Sequence, residues 1–186
     1  MRKVVLCDMI SLDGCYEGPG EGWQALDWHR ADDAWEAYGI ELLRAADALL
    51  LGRRTYEGFA EFWSAQTGEL ARLLNDIPKV VFSTTLERAE WNNSRLVRQN
   101  AAEEVARMKA EDGKNLLIFG SADFAATLTR ERLIDEYLLG INPVFLGVGR
   151  PFFAPGEARL DLELLGTRTF ASGIVVLSCA PRKEGV

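Results

Sequence analysis

The sequence is poor in the residues that build metal centres and disulfide frameworks. It has three cysteines, Cys7, Cys15 and Cys179, with no C-x-x-C pair, and one histidine, His29. This set argues against a disulfide scaffold and a structural zinc site, and we expect no bound metal. No serine or cysteine stands at a spacing from His29 that indicates a catalytic triad, so we interpret His29 as a surface or loop residue.

Long apolar runs and the common nucleotide-binding fingerprints are missing as well. Residues 1–11 form only a short apolar stretch broken by Asp8, too brief and too polar for a signal peptide or a membrane span. We therefore expect a cytoplasmic protein with no membrane partner. Neither GxGxxG nor GxxxxGK[ST] occurs, which excludes the standard Rossmann and P-loop classes.

The composition is that of an ordinary globular protein with an acidic balance. The chain has 186 residues, of which 48% are hydrophobic and 26% charged, so one packed domain spanning 1–186 is expected. Its 28 acidic and 21 basic residues give a net charge of −7. General nucleic-acid binding is disfavoured, because a polyanion would meet net repulsion.

Short apolar segments alternate with amphipathic ones along the chain. The pattern predicts strands over residues 4–10, 48–51, 79–82, 116–119 and 136–141, with helices between most of them. Asp32 and Asp33 are predicted to cap the first helix. Residues 160–170 and 174–178 predict a terminal antiparallel hairpin. The expected fold class is α/β, with a central, mostly parallel sheet flanked by helices and finished by that hairpin.

Two other segments have distinctive patterns. Residues 14–22 contain four glycines and Pro19, which predicts an irregular mobile loop of the kind that often covers sites. Cys15 is interpreted as a thiol in this loop. Asn100 and Glu103 predict a capping box for a helix that runs to Glu111, with Glu104, Arg107 and Lys109 on its exposed face.

Ligands of open α/β sheets bind beyond the carboxyl ends of the strands, which directs attention to residues 11–14, 52–55, 83–85 and 120–122. The second of these segments is Gly52, Arg53, Arg54 and Thr55. This pattern indicates a phosphate site. It combines a glycine, a helix start with free N–H groups and two guanidinium groups. The alternative is a solvated helix start whose arginines pair with acids such as Glu57 or Glu61.

The third and fourth segments are compatible with the same role. Ser83 and Thr84 offer hydroxyl groups to a phosphate, although such residues more often form turns. Gly120, Ser121 and Ala122 allow a pyrophosphate close to a helix N-terminus, or simply allow tight packing. Asp13 in the first segment is either an Asx-turn residue or a substrate-binding or proton-transfer group.

Taken in order, these segments resemble the dihydrofolate reductase superfamily, and within it the proteins similar to the reductase domain of bacterial riboflavin biosynthesis. The resemblance covers nearly the whole chain. The matching pieces are Ser11-Leu12-Asp13-Gly14, Leu51-Gly52-Arg53-Arg54-Thr55-Tyr56-Glu57, Lys79-Val80-Val81-Phe82-Ser83, Ile118-Phe119-Gly120-Ser121, and Leu133-Ile134-Asp135-Glu136 leading to Pro143-Val144-Phe145-Leu146-Gly147.

The resemblance implies an NADPH-dependent reductase with a homodimeric assembly, for which the apolar stretch 143–153 could supply contact surface. It implies that Arg53, Arg54, Thr55, Ser83 and Thr84 hold the cofactor phosphates. The family's Gly-Gly turn, often with a cis peptide, corresponds to Gly120-Ser121 and lies beside the nicotinamide half.

The expected reaction is hydride transfer to a small heterocyclic substrate, as in 5-amino-6-(5-phosphoribosylamino)uracil reductase. Asp13 is the candidate catalytic and substrate-contacting residue, with Trp28, Trp63 and Phe145 as walls of the substrate site. The H-x-E and P-C-x-x-C signature of the family's zinc deaminase domain is missing, so deamination is excluded. The alternatives are a nucleotide-binding or sensor module without turnover, and dihydrofolate reductase itself.

Overall fold

The computed structural model describes residues 1–153 and 158–182. Ten strands and five α-helices are present in those residues, together with a 3₁₀ turn at Gly22–Leu26. The strands are β1 Val4–Ser11, β2 Cys15–Glu17, β3 Ala46–Gly52, β4 Lys79–Phe82, β5 Ser94–Val97, β6 Asn115–Phe119, β7 Glu136–Asn142, β8 Arg150–Pro151, β9 Leu162–Thr169 and β10 Val175–Pro181. The helices are α1 Asp33–Arg44, α2 Arg53–Trp63, α3 Glu69–Asp76, α4 Ala101–Ala110 and α5 Ala122–Arg130.

Eight strands form one twisted sheet in the order β5-β4-β3-β6-β1-β7-β10-β9. The six strands from β5 to β7 run parallel to one another. The last two are antiparallel, since β10 pairs with both β7 and β9. The predicted α/β class and its C-terminal antiparallel hairpin are therefore confirmed. The parallel strands place their carboxyl ends at one edge of the sheet.

The central strands are mostly apolar because helices cover both faces of the sheet. Along β1, Val4 and Leu6 belong to one core, while Val5 and Cys7 belong to the core on the opposite face. Asp32 caps α1 as predicted, since its carboxylate accepts a hydrogen bond of 2.8 Å from the backbone N–H of Trp35. In the described part of the chain, every helix is too short or too polar to cross a membrane.

The segment 14–22 contains a strand that the composition did not reveal. β2 pairs antiparallel with β8 in a small separate sheet, and Cys15 is a buried strand residue rather than a loop thiol. The expectation of a wholly irregular loop was therefore wrong. The pairing joins residues more than 130 positions apart, which local composition cannot reveal.

Two predictions about α4 were also wrong. Asn100 precedes the helix in the left-handed conformation, with φ 55° and ψ 46°, and its side chain makes no capping hydrogen bond. Lys109 is buried: its Nζ donates 2.8 Å to the carbonyl of Leu133 and pairs with Asp135 at 2.6 Å. Lys109 lies one turn after Val105, on the face that packs against the sheet, and its ammonium group finds partners beyond the buried stem.

Candidate active site

A cavity of about 1200 Å³ opens at the carboxyl edge of the parallel strands. Three of the four predicted segments meet there. Its lining includes the segments 52–55, 83–85 and 120–122. Their residues are Gly52, Arg53, Arg54, Thr55, Ser83, Thr84, Thr85, Gly120, Ser121 and Ala122. The fourth segment, residues 11–14, does not line the cavity. The predicted cofactor-binding residues are thus neighbours in space.

The start of α2 is held close to the start of α5. Gly52 precedes α2 in an extended conformation, and its backbone N–H donates 3.1 Å to Oγ of Ser121. A Cβ atom at position 52 would lie 3.3 Å from Cβ of Phe124, so a larger residue would push the two helix starts apart. No side chain caps α2, and its first N–H groups are available to an anion.

Both arginines of this helix start have carboxylate partners. Arg53 pairs with Glu57 at 3.1 Å, and Arg54 donates to Glu17 at 3.0 Å. The predicted alternative of arginines paired with acids is thus observed, with Glu57 as one predicted partner and Glu17 as one that was not anticipated. All four side chains retain solvent exposure. Such pairs contribute about 0.2–1 kcal/mol, so a phosphate can displace them.

The pair between Arg54 and Glu17 belongs to a network at the cavity rim. Arg150 on β8 pairs with Glu17 at 3.2 Å and with Asp123 at 3.0 Å. Asp123 also lies 3.9 Å from Arg54 and accepts a 3.3 Å hydrogen bond from Tyr16. Two cations and two anions therefore connect the β2–β8 sheet to the starts of α2 and α5.

The exits of β4 and β6 differ in what they offer a ligand. Oγ of Ser83 accepts hydrogen bonds from the backbone N–H groups of Thr85 at 3.2 Å and Leu86 at 2.9 Å, so Ser83 forms a turn here. Gly120 and Ser121 are both left-handed, with φ 72° and 65°. The described chain contains no cis peptide bond, and Gly120-Ser121 therefore lacks the cis geometry that the family turn often has.

Of the predicted substrate-contacting residues, only Trp63 lines the cavity. Asp13 accepts hydrogen bonds from the Ser11 hydroxyl at 2.7 Å and from the N–H groups of Leu146 and Gly147 at 3.1 and 2.8 Å. These bonds lower the pKa of Asp13 to about 2. Trp28 donates its indole N–H to the carbonyl of Ala25, and Phe145 is 74% exposed. Asp13, Trp28 and Phe145 are outside the lining of the cavity that the predicted cofactor-binding residues share.

Among the ionisable residues that line the cavity and that the prediction missed are Asp8 and His29. Oδ2 of Asp8 and Nε2 of His29 are buried without a hydrogen-bond partner. Burial raises the pKa of Asp8 to about 7, with a smaller contribution from the nearby Glu17 charge. Burial lowers the pKa of His29 to about 4, so its imidazole is neutral at neutral pH. The signal for Asp8 was a carboxylate within an otherwise apolar strand.

Comparisons with known proteins agree with this architecture. The family model described as the RibD C-terminal domain matches residues 2–176. The uncharacterized protein YyaP of Bacillus subtilis is 32% identical over 180 residues, covering 94% of this chain and 92% of YyaP. A second uncharacterized Bacillus subtilis protein, YwjB, is 28% identical over 177 residues, covering 93% of this chain and 95% of YwjB.

Two solved structures show the same fold at low sequence identity. A putative riboflavin biosynthesis protein from Shewanella superposes with a TM-score of 0.76 at 20% identity, covering 97% of this chain and 99% of that one. RibD from Acinetobacter baumannii superposes with a TM-score of 0.71 at 15% identity, over 98% of this chain and 59% of that one. The fold is that of dihydrofolate reductase-like proteins, and the chain belongs to the RibD C-terminal domain family.

Proposed function

We propose that this protein is an NADPH-dependent reductase that transfers a hydride to a small heterocyclic substrate. The observation that carries the proposal is the meeting of the three strand-exit segments around one cavity of about 1200 Å³. The cavity is large enough for a dinucleotide beside a small ring, because ligand pockets commonly measure roughly 300–1,000 Å³.

The residues at the start of α2 fit the phosphates of NADPH. Gly52 allows the backbone to approach a phosphate closely, and the uncapped N–H groups of α2 are free to bind an anion. Arg53 and Arg54 supply cationic donors. Arg98, at the exit of β5, adds a third cation to the cavity lining. Thr55, Thr84, Ser121 and Ala122 complete this end of the cavity. The arginines in the described lining thus follow the exits of β3 and β5.

The aromatic part of the cavity lining suits an uncharged ring. Phe59, Trp63 and Phe119 supply aromatic surface, and the start of α1 supplies Asp32 and Glu36. No lysine or arginine comes to the lining from the 3₁₀ turn or from α1. Planar aromatic walls orient a planar heterocycle, whereas a phosphorylated substrate would need a cation here.

When bound, NADPH supplies the hydride, and the protein has to hold two rings at a reactive distance and exclude water. The β2 segment is joined to the helix starts through Glu17 and Arg54, which places Tyr16 and Glu17 on the cavity wall. Asp13, Trp28 and Phe145 have no part in this proposal. A homodimer that uses residues 143–153 stays a prediction; Phe145, Val148 and Phe153 in that stretch are exposed.

Binding and turnover assays test the proposal together. Trp23, Trp35 and Trp63 line the cavity, so NADPH should quench tryptophan fluorescence in a saturable way, and NADH should do so more weakly. Oxidation of NADPH is then measured with 5-amino-6-(5-phosphoribosylamino)uracil, its dephosphorylated form and dihydrofolate. Saturable binding with oxidation by one of these compounds supports a reductase. Binding without oxidation favours a sensor module, and no binding contradicts the proposal.

A further inference from the structure

Several carboxylates line the cavity, and Asp8 differs from the four whose partners are known. Glu17, Glu57 and Asp123 are each paired with arginine. Asp32 caps α1 and also accepts a hydrogen bond from the N–H of Ser172 at 3.1 Å, which lowers its pKa. Each of these four carboxylates therefore has a partner. Oδ2 of Asp8, in contrast, is buried without any partner.

Asp8 lies on β1, next to the residue that contacts the turn leading into α5. Asp8 follows Cys7 on β1, and the carbonyl of Cys7 accepts a 2.9 Å hydrogen bond from the N–H of Gly120. Gly120 and Ser121 belong to the turn that the resemblance places beside the reactive half of the cofactor. Oδ1 of Asp8 accepts a hydrogen bond from the N–H of Met9 at 2.8 Å. Oδ2 has no partner, and Asp8 lines the cavity.

The surroundings of Asp8 favour its neutral form. In the sheet, Asp8 pairs with the apolar Leu139 on β7, and the preceding residue, Cys7, pairs with Phe119 on β6. The charged or titratable groups on the elements around it are Cys7 on β1, Tyr16 and Glu17 on β2, Arg54 at the start of α2 and Asp123 at the start of α5. Glu17 disfavours the Asp8 anion. Arg54 does little to offset this effect, because its guanidinium group is engaged by Glu17 and Asp123.

We propose that Asp8 is the proton donor of the reduction and protonates the substrate's ring nitrogen or carbonyl oxygen as the adjacent carbon receives the hydride. This inference rests on the proposed function. The C=N or C=O double bond of the substrate becomes a single bond. Its carbon gains the hydride with both electrons from NADPH, leaving NADP⁺. The nitrogen or oxygen gains a proton from the Asp8 carboxyl group, which then recovers a proton from water.

Two other ionisable residues of the cavity lining, His29 and Tyr16, are poorer proton donors. His29 is neutral at neutral pH, since burial lowers its pKa to about 4, and a neutral imidazole is a very weak acid. Tyr16 has a raised pKa because of burial and the Asp123 charge. A carboxylic acid that titrates near the operating pH is the effective general acid, and such groups typically accelerate proton transfer by about 10²–10⁴-fold.

The first test is kinetic and uses Asp8→Asn, Asp8→Glu and, as a matched control, Asp112→Asn in the exposed turn before β6. Single-turnover oxidation of bound NADPH is measured with dihydrofolate and with 5-amino-6-(5-phosphoribosylamino)uracil across the pH range. The wild-type rate should fall as pH rises above about 7. Asp8→Asn should be about 100-fold slower near pH 6 and close to wild type at high pH. Asp8→Glu should keep a falling profile, and Asp112→Asn should match the wild type.

The second test uses the wild-type protein without substrate, so its result does not depend on the folding of a variant. The ¹³C resonance of the Asp8 side-chain carboxyl group is titrated in the wild-type complex with NADPH. A midpoint near pH 7 supports the proposal, and a midpoint below about pH 5 overturns it.

The outcomes separate this inference from the proposed function. If NADPH binds and is oxidised while Asp8→Asn keeps the wild-type rate and pH profile, the role of Asp8 is overturned and the reductase stands. If the wild type does not bind NADPH, or binds it without oxidising it, the proposed function fails and the role of Asp8 fails with it. The Kd of Asp8→Asn for NADPH is measured alongside, so that a slower hydride transfer is distinguished from weaker cofactor binding.

Discussion

Arg54 on α2 donates a hydrogen bond of 3.0 Å to the carboxylate of Glu17 on β2. The same guanidinium group is the one that the sequence predicts to hold a cofactor phosphate. Glu17 is four-fifths buried as a side chain and is also bound by Arg150. A phosphate that binds Arg54 therefore has to compete with an acid that the fold holds in place.

This competition predicts that Glu17→Gln binds NADPH more tightly than the wild type. Removing the carboxylate frees Arg54, and a partly exposed pair of this kind is worth about 0.2–1 kcal/mol, which corresponds to roughly a one- to fivefold decrease in Kd. Fluorescence titration measures the change. Glu163→Gln on the exposed strand β9 removes the same charge far from Arg54 and should leave Kd unchanged. Weaker binding by Glu17→Gln would show that Glu17 positions Arg54 rather than competing for it.

Asp13 should prove to be a structural residue. It joins the turn after β1 to the backbone of Leu146 and Gly147, and these bonds lower its pKa to about 2. A lowered carboxyl pKa stabilises the fold above the unfolded value near 4, and this contribution is lost as pH falls through about 2. Asp13→Asn should therefore lower the melting temperature at neutral pH, with the difference from wild type closing near pH 2.

Binding data distinguish this role of Asp13 from substrate or cofactor contact. Asp13→Asn should bind NADPH with the wild-type Kd, because Asp13 does not line the cavity. Asp112→Asn is the control for stability. If Asp13→Asn lost turnover without any change in its melting curve, Asp13 would be a residue of the active site and this prediction would be wrong.

Lys79 is predicted to be a structural cation of the core. It is 1% exposed, and its Nζ donates 2.9 Å hydrogen bonds to the carbonyls of Asn75, Ile77 and Asn92. The ammonium group also lies 4.2 Å from the ring centroid of Trp91. Lys79→Met would leave three carbonyls without their donor and should lower the free energy of unfolding by about 3 kcal/mol.

Urea denaturation measures this loss, with Lys3→Met as the control at an exposed position. Lys3→Met should change the free energy of unfolding by less than about 0.5 kcal/mol. Equal stability of the two variants would mean that water replaces the ammonium group at Lys79 without cost.

The parts of the site that could be predicted from sequence are those fixed by local chain geometry. Glycine and hydroxyl residues directly after apolar strands mark strand exits, and parallel strands bring their exits to one edge, so Gly52 and Ser121 were expected near each other. Asp13 has the same local signature, but its turn does not line the cavity. Only the three-dimensional packing shows this difference.

The residues that were missed depend on distant neighbours. Asp8 becomes unusual because burial removes its solvent, and the pairing of β2 with β8 gives Arg54 its partner Glu17. The charge of Lys109 predicted an exposed side chain, whereas its position on α4 directs the side chain towards the sheet. In each case the deciding contact joins segments that are far apart in the chain.

The central claim is that the start of α2 binds the phosphates of NADPH, and charge reversal tests it most directly. Arg53→Glu with Arg54→Glu is compared with Arg44→Glu with Arg72→Glu, which makes the same charge change on α1 and α3 outside the cavity. Two lost charge-assisted contacts should raise the Kd for NADPH by at least about 100-fold, with little change in the control. A Kd for NADPH that is unchanged in the Arg53 and Arg54 variant would contradict the account.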